Sequence, residues 1–374
     1  MEKRYNKRLK IELPLLAFGA MRLPKSGEDI DFDTAKKMVD YAMENGLNYF
    51  DTAYPYHNGK SETFLGEALS GYDRSSYFLT DKLPIYNIKN HEDAEKYFDE
   101  QLEKCKTRYF DFYLLHAMNK ERVKIMEDFN LYDFLLKKKA EGKIRYIGFS
   151  FHDDSDTLEL LVSKYKWDFV QLQINYYDWN EFNAKEQYEI LESHSLPCFV
   201  MEPVRGGFLS SLAAQAKKHM TDFNKDASIS SWAIRWVASL PNVAVVLSGM
   251  SDMKQLKDNI NTMSSFKPVS EDEINVIDKV VKELGRIKPI PCTGCKYCMP
   301  CPSGVNIPDI FAVYNNYKKT ENKELFKNSY LINMKDTSRA HNCINCKACV
   351  SVCPQHIDIP KELKTVDSEV KALK

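Results

Sequence analysis

Eight of the ten cysteines stand in two tight runs towards the C-terminal end of the chain. The first is Cys292-x-x-Cys295-x-x-Cys298-x-x-Cys301, the second Cys343-x-x-Cys346-x-x-Cys349-x-x-x-Cys353, and proline follows each. The second has the spacing that binds a [4Fe–4S] cluster in bacterial two-cluster proteins, where the fourth cysteine ligates the cluster of the other run. Two runs therefore predict two clusters built by exchange. Cys292, Cys295, Cys298 and Cys353 would hold one; Cys343, Cys346, Cys349 and Cys301 would hold the other. The first run departs from the pattern in having two residues, not three, before its last cysteine. Zinc sites more often show two separated pairs, and disulfides need an oxidising compartment.

The 374 residues suit a large barrel with a small appendage. A formal net charge of −1 gives no reason to expect a nucleic-acid or membrane partner. Leu13 to Met21 is apolar but contains Pro14 and is too short to span a bilayer. The basic stretch Lys3 to Lys10 before it is followed by neither a long apolar core nor a small-residue cleavage site. Thiolate clusters without an export signal point to the cytoplasm of a reducing, oxygen-poor cell.

Apolar β-rich runs alternate with helix-period segments. Strands are expected at 13–19, 47–53, 76–83, 110–116, 144–150, 169–175, 198–202 and 243–248. Helices are expected at 32–45, 61–69, 92–106, 131–141, 157–165, 185–192, 229–239 and 253–263. In the helix at 92–106, Ala94, Phe98, Leu102 and Cys105 recur on one face. Eight βα repeats suit an α/β fold of the (β/α)8 TIM-barrel kind. A doubly wound sheet lacks its Gly-x-Gly-x-x-Gly turn after the first strand. An extra helix at 271–284 and a linker from Gly285 to Pro291 lead into the cysteine runs, where short helices fall at 309–316 and 324–327. The expected domains are a barrel at 1–285 and a small, α-helical, ferredoxin-like domain at 286–374.

Catalytic groups of such barrels lie at the C-terminal ends of strands. Here those ends carry Asp51 and Tyr56, then Lys82, then His116 on consecutive strands. A phenol is a poor acid at neutral pH, with a reference pKa of about 10. A neighbouring ammonium favours the phenolate and eases proton release. An aspartate would hold the lysine, and a histidine could share the proton or orient a carbonyl. The set suits protonation of a carbonyl as hydride arrives from a nicotinamide. Arg205-Gly206-Gly207 could clamp an anion or serve in packing, and Tyr54, Tyr176, Tyr177 and Trp179 could line the mouth or the core. Cys105 and Cys198 read as core thiols.

At these residues the chain resembles the aldo-keto reductases, over about 10–285. The motifs are Asp51-Thr52-Ala53-x-x-Tyr56 with Ser61-Glu62 and Leu65-Gly66-Glu67-Ala68-Leu69, then Lys82, Leu115-His116 and Gly142 to Ser150. Val246 to Ser251 and Gln255 to Asn259 follow. Cys292 to Pro302 resembles the signature of the bacterial branch with a C-terminal ferredoxin-like domain. The resemblance implies Tyr56 as proton donor, with Asp51, Lys82 and His116 completing a tetrad. It implies Ser150 and Gln171 on the nicotinamide carboxamide, and Met201 where an aromatic usually stacks. Gly249, Met250, Gln255 and Asn259 would take the phosphate and adenine ends of NADP(H) or NAD(H). Phe151-His152 stands where the family commonly has asparagine, and Gln255 where many members have arginine.

The implied substrate is a small carbonyl compound: an aldehyde, ketone or quinone. Hydride moves two electrons at once, whereas Fe–S clusters ordinarily pass one. No flavin signature is evident, although a non-covalent flavin need leave none. The clusters could be structural, could relay electrons to or from a partner ferredoxin or other electron-transfer protein, or could sense oxygen. The alternative to an enzyme is a redox-sensing regulatory or electron-transfer protein with residual turnover.

Overall fold

The computed structural model describes residues 1–373, with Glu181 by its backbone alone. By internal contacts the chain forms two compact units: Met1–Pro203 with Ser230–Val269, and Val204–Ile229 with the chain from Ser270 onward. These are cut elsewhere than at residue 285.

The first unit contains eight parallel strands that close into a barrel: β1 (Leu16–Gly19), β2 (Tyr49–Asp51), β3 (Phe78–Leu83), β4 (Phe110–Met118), β5 (Ile144–Phe151), β6 (Phe169–Gln173), β7 (Cys198–Met201) and β8 (Val243–Gly249). Each pairs with its sequence neighbours, and β8 closes onto β1. The strands are almost wholly buried, as expected where side chains fill the lumen on one face and meet helices on the other. Tyr49, Phe112, Phe169 and Phe199 form the interior layer; the Phe169 and Phe199 rings lie 4.5 Å apart. A hairpin of Lys3–Asn6 with Ile11–Pro14 precedes β1. Leu9 and Leu13 from this hairpin join the interior layer, and Arg4 Nη2 donates to the Ala238 carbonyl at 2.9 Å. The expected first strand at 13–19 is thus divided between hairpin and barrel.

Helices α1 (Phe32–Glu44), α2 (Ser61–Ala68), α3 (His91–Lys104), α4 (Lys120–Asp128), α5 (Leu131–Ala140), α6 (Ser155–Lys164), α7 (Asp178–Glu181) and α8 (Ala184–Ser193) belong to this unit. Their starts follow local chemistry: Asp31, Asn90, Asn119 and Asp154 accept from first-turn N–H groups. Helix α4 was not expected, because only Val123 and Met126 are buried on it.

The second unit contains α9 (Ala214–Phe223), and the first resumes with α10 (Ile229–Ala238) and α11 (Met253–Ser264). Helix α12 (Glu271–Ile287) packs with α9 in the second unit. It continues through Gly285 and Arg286, so the expected linker is shorter than 285–291; the Glu283–Arg286 pair bridges its last turn. Helices α13 (Ile307–Thr320), α14 (Lys323–Lys327) and α15 (Ile359–Ala372) complete the unit. Pro308 and Pro360 open α13 and α15 in first-turn positions where proline is tolerated. Gly206 has φ +63°, and a Cβ there would lie 2.3 Å from the Thr293 carbonyl oxygen. The Arg205-Gly206-Gly207 turn is therefore a packing element against the first cysteine run, and Arg205 is buried. Among the described residues no helix is long and apolar enough to cross a membrane.

Close packing of α2 on α3 depends on Gly66. A Cβ there would stand 2.2 Å from the Lys104 carbonyl oxygen and within 2.9 Å of the Cys105 backbone. Backbone cannot retreat as a flexible side chain can, so Gly66→Ala is expected to destabilise the fold by about 1–3 kcal/mol. Urea unfolding measures it; an unchanged midpoint would contradict this close approach.

Candidate active site and cysteine cavities

Strands β2 and β3 pair in parallel with Asp51 opposite Thr80. Lys82 lies two residues beyond Thr80, on the same face by strand alternation. Its ammonium donates to Asp51 Oδ1 at 2.7 Å and to the Thr52 carbonyl at 2.6 Å, entirely buried. Burial works to lower the Lys82 pKa, but Asp51, Tyr56 and Asp81 outweigh it and the value rises. Burial raises Asp51 against the pull of Lys82.

Tyr56 begins a tight turn in which His57 and Asn58 are left-handed. Lys82 Nζ lies 5.0 Å from the centre of the Tyr56 ring. The His116 ring, near the end of β4, meets Tyr56 edge to face at 6.1 Å between centroids. Burial holds His116 well below its ordinary pKa, with Lys82, Arg122 and His152 adding to the effect. The histidine is neutral at pH 7. Asp51, Tyr56, Lys82 and His116 are thus brought together at one end of the barrel strands.

Beneath Lys82 is a second layer, of which the sequence motifs named only Glu62. Asp81 and Glu62 are fully buried and close enough to act on each other electrostatically. Asp81 Oδ1 accepts from the Lys82 N–H at 2.8 Å, and the Cys105 thiol donates to Oδ2 at 3.8 Å. Gln101 Nε2 donates to Glu62 Oε1 at 2.8 Å, and Lys104 donates to Oε2 at 3.2 Å. Burial, then repulsion from Glu62, pushes Asp81 well above the usual carboxyl range; burial also raises Glu62. Two carboxyls in one dry site disfavour each other's ionisation.

The cofactor residues divide between two ends. Gln171 Nε2 donates to Met201 Sδ at 3.3 Å, while Gln171 Oε1 is buried without a hydrogen-bond partner. Ser150 Oγ accepts from Ala117 N at 2.7 Å. The orphaned Gln171 oxygen beside the strand carrying Ser150 fits the donor and acceptor needs of a primary carboxamide. At the other end, Asn259 Nδ2 donates to Ser248 Oγ at 3.1 Å, and Met250 is buried. Gln255 is engaged by its own helix terminus: it accepts from Ser251 N and donates to Asp252 Oδ2, both at 2.9 Å. Arg22, which the sequence did not single out, lays its stem against Gly249 and pairs with Glu202 at 3.2 Å. Of the expected mouth aromatics, Tyr176 and Trp179 pack on Trp236, and Tyr54 bonds Glu100.

In the second unit two cavities are ringed by cysteines. One, of 20 Å³, is lined by Cys292, Cys295, Cys298 and Cys353, with Phe311, Ile357 and Ile359. The other, of 180 Å³, is lined by Cys301, Cys343, Cys346 and Cys349, with Ile344, Val352 and Leu363. Cys298 and Ile307 border both. Burial pushes the Cys298 thiol up to about 12, and Cys295, Cys292 and Cys353 add to it. Burial likewise takes Cys349 to about 11, with Cys343, Cys301 and Cys346 as neighbours. Among the described residues no group of His, Cys, Asp or Glu is set to hold a single metal ion. Four crowded thiols around a cavity fit a larger, positively charged core that draws off their protons.

The comparisons agree with both parts. The Aldo/keto reductase family model matches residues 15–282, and the 4Fe-4S dicluster domain model matches 291–357. The chain is 26% identical to L-galactose dehydrogenase of Arabidopsis thaliana, over 73% of this chain and 93% of that protein. It is 26% identical to methylglyoxal reductase YeaE of Escherichia coli, over 61% and 84%. An aldo-keto reductase from Klebsiella pneumoniae, solved in complex with NADPH, superposes with a TM-score of 0.60 at 20% identity, covering 75% of this chain and 96% of that one.

The Asp81–Glu62 pair makes stability depend on pH. Asp81 keeps in the folded state a proton that the unfolded chain releases above about pH 4. Its contribution is fully present below that value and is lost as pH rises through the raised folded pKa. Asp81→Asn keeps an acceptor for Lys82 N and a donor for Glu62 without a proton to retain. The variant is expected to lose less stability than the wild type between pH 5 and pH 8, measured by urea unfolding at both values.

Proposed function

Because the chain belongs to the aldo/keto reductase family, we propose that it reduces an aldehyde, ketone or quinone carbonyl at the expense of NAD(P)H, with Tyr56 as proton donor. The observation that carries this reading is the Lys82 ammonium, held by Asp51 and 5.0 Å from the Tyr56 ring. A bound nicotinamide supplies hydride to the carbonyl carbon. The chain's own task is the proton at oxygen. Tyr56 gives it, and the adjacent ammonium favours the phenolate left behind. Asp51 fixes the ammonium. Neutral His116 can donate to the carbonyl oxygen without adding a charge. Ser150 and Gln171 would hold the carboxamide, Met201 would lie along the ring, and Gly249, Met250, Gln255 and Asn259 would take the phosphate and adenine end. The relative solved with NADPH supports NADP(H), and NAD(H) remains the second candidate at a site with Gln255 in place of arginine.

Tyr56→Phe removes the donor and little else. It is expected to lower turnover by about 10²- to 10⁴-fold while NADPH binding, followed by fluorescence titration, stays near wild type. Wild-type turnover in this variant would overturn the assigned role.

The C-terminal domain is of the 4Fe-4S dicluster kind, and the proposed content is two clusters with exchanged ligands: Cys292, Cys295, Cys298 and Cys353 on one, Cys343, Cys346, Cys349 and Cys301 on the other. The two cysteine-lined cavities support this grouping. Such clusters supply one-electron exchange and cross-linking of the chain. A small electron-transfer protein is the corresponding partner, and a reducing cytoplasm the corresponding setting. Anaerobically purified protein is expected to hold about eight irons per chain. Cys353→Ser is expected to remove the cluster rooted in the first run, followed by iron analysis and paramagnetic resonance; selective loss of the other would refute the exchange.

A further inference from the structure

The two cysteine-lined cavities of the second unit differ in their outer walls. The 20 Å³ cavity is walled by Thr293, Ile307, Phe311, Ile357 and Ile359, all buried, and of its described lining only Lys296 is exposed. The 180 Å³ cavity is bounded by the loop of the second run, where every residue from Ile344 to Ala348 is exposed, Cys346 included. Asn345 and Lys347 are left-handed, at φ 54° and 60°, and bend the chain on each side of that cysteine. Ile344 is 69% exposed and Val352 38%, and both line the cavity. Single exposed apolar side chains are ordinary on a protein surface. On the rim of a thiol-lined cavity they also give a partner a dry place to land.

The charge of this rim has one sign. Lys347 lines the cavity, and none of the described residues that line it is acidic. Pro360 and Leu363 of α15 line it too, and Lys364, one turn beyond Pro360, is exposed. The sequence extends the bias. No carboxylate falls between Glu283 and Asp309 or between Asp336 and Asp358, whereas Arg286, Lys288, Lys296, Arg339 and Lys347 do. Arg286 is taken up by Glu283 and Arg339 by Asp336. Lys347 and Lys364 stand in no ion pair among the described residues. The chain as a whole has a formal net charge of −1, so the bias is local.

We propose that the rim of Ile344, Val352 and Lys347 around Cys346 is the docking surface of an acidic one-electron carrier, and that Cys301, Cys343, Cys346 and Cys349 form the port through which electrons are exchanged with it. This rests on the two-cluster reading above. One electron leaves the donor and one enters the acceptor; no bond forms or breaks. The other four thiols lie behind the port, past the wall of Cys298 and Ile307 that both cavities share. A few apolar side chains with a charged edge suit the small, short-lived contacts of electron-transfer partners. A stable complex needs about 1,200–2,000 Å² of buried surface. The competing occupant is a second copy of this chain, which would bring like charges face to face across a two-fold axis.

The test uses full-length protein purified without oxygen, its iron counted and its paramagnetic resonance recorded before mixing. The probes are a plant-type ferredoxin, which is acidic, and cytochrome c, which is basic. Stopped-flow absorbance follows electron exchange with each, in the downhill direction fixed by redox titration. The second-order rate with the ferredoxin is expected to fall about tenfold between low salt and about 0.5 M salt, as attraction is screened; the rate with cytochrome c should not fall. Lys347→Glu should slow exchange with the ferredoxin about tenfold at low salt, with iron content and resonance unaltered. Lys282→Glu, exposed on α12 and lining neither cavity, should leave it unchanged. Ile344→Gln should slow exchange at both salt concentrations. A rate indifferent to Lys347→Glu, or slowed as much by Lys282→Glu, overturns the port while leaving the clusters in place. Sedimentation that shows a dimer dispersed by Ile344→Gln assigns the rim to a second copy and overturns it as well. Protein without iron would instead overturn the cluster reading, and the port with it.

Discussion

The active end of the barrel is organised around one buried ion pair, Lys82 with Asp51. Taking two charges out of water costs several kcal/mol per ion unless geometry and further hydrogen bonds offset it. Here Asp51 and the Thr52 carbonyl both receive the ammonium within 2.7 Å. Parallel pairing of β2 and β3 determines that geometry. A register slip of one residue would turn Lys82 to the other face. The cost of this pair is therefore tied to the barrel itself, and the proton chemistry assigned to Tyr56 inherits its precision from strand pairing.

The surrounding groups keep that pair from being neutralised in the wrong place. If Asp81 ionised, a second carboxylate would stand one residue from the ammonium and weaken its hold on the phenolate. Burial and the neighbouring Glu62 push Asp81 away from ionising, and Gln101 and Lys104 fix Glu62 from the far side. If His116 were charged, a second cation would stand with Lys82 beside Tyr56. Burial prevents it. The mouth thus combines a buried ion pair, a neutral imidazole and two carboxyls whose ionisation is disfavoured, each following from where the group is buried.

What could be read in the sequence was what one segment carries by itself. The tetrad stood at strand ends, and strand ends are marked by apolar runs that stop. The cysteine runs carried their spacing on their face. Helix α15 was equally legible, with Pro360 at its start and Ile359, Leu363, Val366 and Val370 on one side. Other features exist only across segments. Arg22 reaches Glu202 because β1 and β7 flank β8 in the closed barrel. Arg122 meets Ala117 of β4 and Tyr86 of the segment after β3. Helices α4 and α9 have only two buried residues each, too few to form a periodic stripe.

The second unit shows why thiol ligands are more than an addition to a finished fold. Its apolar core is drawn from α13, α14, α15 and the segments beside the cysteines, and Cys292, Cys298, Cys301, Cys343, Cys349 and Cys353 pack against it. Ile307 stands in that core and also borders both cysteine-lined cavities. A core this small stabilises a domain only weakly, and metal ligation is the usual supplement. Burial and the neighbouring cysteines push the Cys298 and Cys349 thiols up. Ligation would turn that repulsion into cross-links between chain segments up to about sixty residues apart, as from Cys292 to Cys353. Clusters bound there would therefore add to stability through this packing, whether or not they also passed electrons. The carbonyl chemistry, which needs hydride and a proton, places no demand on them.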